Sequence, residues 1–152
     1  MKLNLGCGQL KFRGFENVDY PEVDLRKPLP YADESVDEIL MIHVLEHLGK
    51  DEAIRCLTEC KRIMRAGGRL MVEVPDIYRC FRVARSTDEL ASYVYGDPAN
   101  SRNGNILEYH RWAWCQRTLT DCMLKVGFPR VDSKDGKFHG RPDRDILMEA
   151  RK

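Results

Sequence analysis

The chain has 152 residues, with 25 basic and 24 acidic side chains and a formal charge of +1. Hydrophobic residues make up 43% and charged residues 32%, which suits one globular domain over 1–152 and excludes a disordered chain. The even charge balance argues against a dedicated nucleic-acid binder, and no apolar run nears the roughly 18 residues of a membrane-spanning helix.

Lys2 to Leu5 reads as a short strand running into the glycine turn Gly6-Cys7-Gly8. Phe15 to Val18 reads as a second strand closed by Asp19, and Pro21, Pro28 and Pro30 keep the next stretch from being helical. Val36 to His43 is a third strand, apolar enough at its end to lie centrally in a sheet. Between Lys50 and Ala66 the side chains of Ala53, Ile54, Leu57, Cys60 and Met64 share one helical face, and Gly67 suits the C′ position. Arg69 to Val74 is a strand ended by Pro75. Ile77 to Ala84 reads as a helix, and Ser86 with Glu89 opens another. Gly96 to Asn105 is rich in loop formers, which makes 96–110 a candidate mobile lid. A last helix carries Cys115, Leu119, Cys122 and Val126 and stops at Gly127. Phe128 to Ser133 and Asp145 to Arg151 then read as two closing strands.

Strands alternating with helices imply an α/β fold, a mostly parallel sheet with helices on both faces. Ligands of such sheets bind beyond the carboxyl ends of the strands, where this chain carries Gly6 to Gly8, Asp19, His43 and Asp76. Glycines there let the backbone turn and approach a ligand, and an acidic residue closing the second strand suits a ribose diol. Asp19 follows Gly6 by only thirteen positions, so the first crossover helix must be shortened or missing. Position 11 is Lys rather than Gly, which leaves the dinucleotide fingerprint incomplete and argues against an oxidoreductase. The six cysteines include no CxxC pair, and Cys56 with Cys60 offer only two thiols. They read as buried cytoplasmic thiols, with no metal site expected.

The stretches Lys2-Leu-Asn-Leu-Gly-Cys-Gly8, Asn17-Val-Asp19, Val23-Asp-Leu25 and Pro28 to Asp37 continue through His43-Val-Leu-Glu-His-Leu48 and Lys61 to Leu70 to Val74-Pro-Asp76. In this order they resemble the class I S-adenosylmethionine-dependent methyltransferases, particularly the small bacterial and phage-type group. The resemblance implies a Rossmann-like sheet of seven strands or a trimmed version, with an antiparallel last strand and S-adenosylmethionine as cofactor. It implies that Asn4, Leu5, Gly6, Cys7 and Gly8 line the methionine part, Asp19 holds the ribose, Asp24 and the Leu25 amide meet the adenine, and His43 lies beneath. The chain departs from the family pattern at Asn4, usually acidic, and at Leu10, usually glycine. The implied activity is methyl transfer to a small-molecule or glycan acceptor, with His43, Asp76 and His110 as candidate bases. Glu46 and His47 occupy a family position after the central strand and read equally well as an ordinary helix opening. The rival reading is a non-catalytic cofactor-binding or partner-binding domain on the same fold.

Overall fold

The computed structural model describes residues 1–96 and 109–152. Six strands, β1 (Lys2–Leu5), β2 (Glu16–Val18), β3 (Val36–Ile42), β4 (Met64–Pro75), β5 (Val131–Asp135) and β6 (Asp145–Arg151), form one sheet in the order β2-β1-β3-β4-β6-β5. The first four are parallel, and β6 is antiparallel to both of its neighbours. The helices are α1 (Lys50–Ile63), α2 (Ile77–Val83), α3 (Thr87–Tyr95) and α4 (Gln116–Val126), and a 3-10 turn, Leu45–His47, leads into α1. Most of the expected lid at 96–110 lies outside the described residues; only Gly96, Tyr109 and His110 fall within them. No helix among the described residues is long and apolar enough to cross a membrane.

Alternation along the strands decides what each face packs against. Leu3 and Leu5, Ile39 and Met41, Leu70, Val72 and Val74, and Ile146, Met148 and Ala150 point to one face. There they meet Ala53, Cys56, Leu57 and Cys60 of α1 and Leu119, Cys122 and Met123 of α4. Val23, Leu25 and Leu29 close the same core from the proline-rich stretch, and Trp114, 1% exposed, closes it below α4.

The other face differs from the expectation of helices on both sides. Its apolar residues Leu40, Ile42, Met71 and Leu147 are covered by Phe12, Phe15 and Phe138 from loops. No described helix packs there, because the crossover 6–15 is too short for one and the prolines exclude another before β3. The six strands among the described residues form the trimmed version of the expected sheet. Helices α2 and α3 pack on each other beyond the carboxyl end of β4. Two asparagines hold the loop that replaces the first helix. Asn4 Nδ2 donates to the Leu10 carbonyl at 2.7 Å and to Asn17 Oδ1 at 2.9 Å, while Asn17 bonds the Phe12 and Phe15 backbone.

Several boundaries moved, the end of α1 and the start of the fifth strand among them. Helix α1 stops at Ile63 rather than Ala66, because Met64 is fully buried and pairs with Val36 at the start of β3. The chain then loops through Gly67 at φ +76° and rejoins the ladder at Arg69 opposite Glu38. The fifth strand starts at Val131 rather than Phe128. Phe128 is 1% exposed and caps α4 by donating its amide to Met123 after Gly127 turns at φ +99°.

Candidate active site

A cleft of about 260 Å³ opens at the carboxyl ends of β1, β2 and β3, lined by Gly6, Gly8, Asp19, Tyr20, Val23, Asp24, Leu25, Arg26, His43, Val44, His47 and Leu48. Glycine is required at position 6, where φ is +66° and an added Cβ would lie 2.7 Å from Val44 Cγ2. At Gly8, φ is +47° and the space around an added Cβ is open, so the backbone itself forms the cleft wall. Asp19 fixes this turn: its Oδ2 accepts the Gly8 amide at 2.8 Å and its Oδ1 accepts the Tyr20 amide at 2.9 Å.

Asp24 is held from its own loop. Arg26 donates Nε and Nη2 to it at 2.8 and 2.9 Å, and the Arg26 amide adds a third bond at 3.0 Å. The guanidinium keeps the Asp24 carboxyl below its ordinary range and also lies over the Tyr20 ring at 5.7 Å. Three other anticipated residues stand behind the cleft. The Asn4 amide is engaged with the crossover loop, Leu5 is fully buried in the helix-side core, and Cys7 donates its amide to Val18. Burial and the Asp19 charge push the Cys7 thiol up.

At the closed end, His43 leaves β3 at φ +54° and turns the chain into the 3-10 segment. Its Nε2 lies 3.1 Å from Asp145 Oδ2 and its Nδ1 2.9 Å from Glu46 Oε1, and its ring stacks on His139 with centroids 4.1 Å apart. Burial alone would lower its pKa, but the two carboxylates override this and raise it to about 9. Asp145 is fully buried and also takes the Arg144 fork at 2.6 and 2.9 Å; against the cost of burial these donors hold it well below the usual carboxylate range. Glu46 is likewise lowered, against burial, chiefly by the charge of His43.

Asp76 is 4% exposed and occupied: Oδ1 accepts the Tyr78 and Arg79 amides at the start of α2, and Oδ2 accepts the Gln116 amide at the start of α4. One carboxylate thus caps two helices. His110 lies outside the cleft lining, with Nδ1 3.1 Å from the Tyr93 carbonyl and its pKa lowered by burial. Glu73, absent from the sequence reading, is fully buried and accepts the Lys137, Phe138 and His139 amides, which places Phe138 over the sheet and His139 against His43.

Residues 3–72 match the family model described as a methyltransferase domain. A probable S-adenosylmethionine-dependent methyltransferase of Mycobacterium tuberculosis is 34% identical over 136 residues, 87% of this chain and 41% of the relative. The chain belongs to the class I S-adenosylmethionine-dependent methyltransferase family. It spans about two fifths of the length of the curated relatives it matches. Solved structures agree on the fold. A methyltransferase from Archaeoglobus fulgidus superposes with TM-score 0.66 at 15% identity, covering 99% of this chain and 85% of that one. The 1,6-didemethyltoxoflavin-N1-methyltransferase of Burkholderia thailandensis, solved with 1,6-didemethyltoxoflavin and S-adenosylhomocysteine bound, gives 0.64 at 16% identity, with 99% and 70% covered. The family's cofactor is S-adenosylmethionine.

Proposed function

We propose that residues 1–152 form one cytoplasmic domain that binds S-adenosylmethionine and transfers its methyl group to a small-molecule or glycan acceptor. The observation that carries this reading is the convergence of Gly6, Gly8, Asp19, Asp24, Leu25 and His43 on a single cleft at the strand ends. Gly6 and Gly8 give the methionine part close backbone approach, and Asp19 offers its remaining lone pairs to the ribose hydroxyls. Val23, Leu25 and Leu48 supply apolar wall for the adenine, with Asp24 at its edge and His43 beneath the bound molecule. Asn4, Leu5 and Cys7 act from behind by holding the turn in place. Bound cofactor supplies an electrophilic methyl group, so the chain's own task is alignment and exclusion of water. Of the three candidate bases, Asp76 is engaged as a cap and His43 holds a proton between two carboxylates, which leaves His110 as the neutral imidazole.

A small acceptor accords with the near-zero net charge, which gives no footprint for nucleic acid. The six free, buried cysteines accord with a reducing compartment. The non-catalytic alternative draws on the Arg26 fork already closed on Asp24, and on the neutral side chain at Asn4. Two measurements decide. S-adenosylhomocysteine at 100 times its Kd should stabilise the fold by about 2.7 kcal/mol, and S-adenosylhomocysteine should be released from S-adenosylmethionine when an acceptor library is added. Binding without turnover on any acceptor favours the alternative; no binding by folded protein overturns the cofactor role and leaves only a partner-binding domain.

A further inference from the structure

All four histidines of the chain, His43, His47, His110 and His139, gather around two buried carboxylates, Asp145 and Glu46. The group of His43, His139 and Asp145 is satisfied, since Asp145 takes both His43 and the Arg144 fork. The group of Glu46, His47 and His110 is not. Their donor atoms lie within 4.8 Å of one another and Glu46 is 2% exposed. His43 Nδ1 approaches its Oε1 at 2.9 Å without the alignment of a hydrogen bond, and Oε2 has no donor among the described residues. His47 Nδ1 is buried and has no partner among the described residues either. His43 serves one oxygen of this carboxylate, and a buried polar atom left without a partner, as Oε2 is, carries a cost that a second cation would remove.

His110 carries a further mark. A backbone carbonyl, that of Tyr93, lies 3.1 Å from Nδ1 and draws the ring proton there, which leaves the lone pair on Nε2. Histidines that hold metals have this outer support. We propose that Glu46, His47 and His110 bind one divalent first-row transition ion of the zinc class. Two imidazoles and one carboxylate suit Zn²⁺ or Co²⁺, whereas Mg²⁺ and Ca²⁺ take oxygen donors. A tetrahedral zinc holds its donors roughly 3.4 Å apart, so the triad closes in by about an ångström on loading. Three protein ligands leave a coordination position open. His47 also lines the cofactor cleft, while Glu46 and His110 line a small cavity together with Trp114, whose indole N–H has no partner among the described residues. The ion would therefore stand in the wall of the cleft, able to take an oxygen donor. The inference does not rest on methyl transfer, and its test reads metal alone.

Chelator-treated chain is dialysed against Zn²⁺ and the bound metal counted, and Co²⁺ is followed by its visible spectrum. One Zn²⁺ per chain is expected, with Co²⁺ bands of low-coordinate nitrogen and oxygen ligation and no thiolate charge-transfer band. Glu46→Gln, and independently the less buried His47→Ala, should weaken binding by about 100-fold or more, with folding checked by circular dichroism. His139→Ala should retain the ion. Absence of stoichiometric metal in folded wild-type chain, a thiolate band, or unchanged binding in folded Glu46→Gln and His47→Ala would overturn the proposal. So would loss of the ion in His139→Ala alone, which would move it to Asp145.

Discussion

Asp19→Ala separates the cofactor role of this carboxylate from its role in the turn. In the structure Asp19 accepts one backbone amide on each oxygen, from Gly8 and from Tyr20. A carboxylate has about four lone-pair sites, so one on each oxygen is left for a ribose hydroxyl. A hydrogen bond to a charged acceptor contributes about 1.5–3 kcal/mol, and in a cleft open to water two such bonds fall short of their sum. Loss of binding energy for S-adenosylhomocysteine should therefore be about 1.5–3 kcal/mol, roughly 10- to 150-fold in Kd.

The turn is controlled for with Asp19→Asn, which keeps one oxygen acceptor and the side-chain volume. Its Kd should fall between those of wild type and Asp19→Ala. Isothermal titration of each folded variant with S-adenosylhomocysteine reads the effect directly, and thermal unfolding without ligand reports how far the turn itself has loosened. A Kd for Asp19→Ala within twofold of wild type would refute the assignment. The ribose would then be held elsewhere, and Asp19 would serve only to close the glycine turn.

Two further substitutions test the framework around the cleft. Glu73→Gln removes the charge from a fully buried acceptor of three amides and points an NH₂ at one of them; urea unfolding should show a loss of about 2–4 kcal/mol, and a loss below about 0.5 kcal/mol would mean that the 137–139 loop is held by other contacts. Gly6→Ala places a methyl 2.7 Å from Val44 Cγ2 at a φ of +66°, and the left-handed backbone alone costs about 1–2 kcal/mol. Val44→Ala should restore part of the S-adenosylhomocysteine affinity lost in Gly6→Ala; a purely additive double variant would show that the contact does not shape the cleft.

Much of this was legible in the chain because it depends on local pattern. The glycine turn, Asp19 and His43 sit at strand ends that apolar runs and punctuating residues mark out, and the missing crossover follows from counting the residues between Gly6 and Asp19. The misplaced end of α1 has a local cause too: Met64, Arg65 and Ala66 are good helix formers, and only the tertiary pairing of Met64 with Val36 draws them out. What could not be read depends on groups far apart in sequence. Asp145 reaches His43 across 102 positions, Glu73 gathers amides 64 to 66 positions away, and Asp76 caps a helix 40 positions on. Each looks like an ordinary polar residue until the antiparallel β6 brings the start of one strand to the carboxyl ends of the others.

The helix-free face shows how the strand sequences tolerate that loss. A parallel sheet is normally covered on both sides, yet here the half of that face farther from the cleft carries alternating charges rather than apolar side chains. Lys2, Glu38, Arg69, Glu149 and Lys134 form a row across β1, β3, β4, β6 and β5, each ion-paired to the next. The cationic ends are solvent-exposed while Glu38 is buried, so the row satisfies a buried carboxylate that would otherwise stand unpaired. The row also acts on solubility and register. Glu38 and Glu149, flanked on both sides by cations, cannot shift by one position without driving charge into the α1 and α4 core. At the carboxyl end of the same face the three phenylalanines replace the charges, where Leu40, Ile42, Met71 and Leu147 must stay dry beneath the turn that shapes the cleft. One end of the sheet is thus kept wet by its own strands. The other is sealed by loops that Asn4, Asn17 and Glu73 hold in place. The missing helices therefore cost the cleft none of its support.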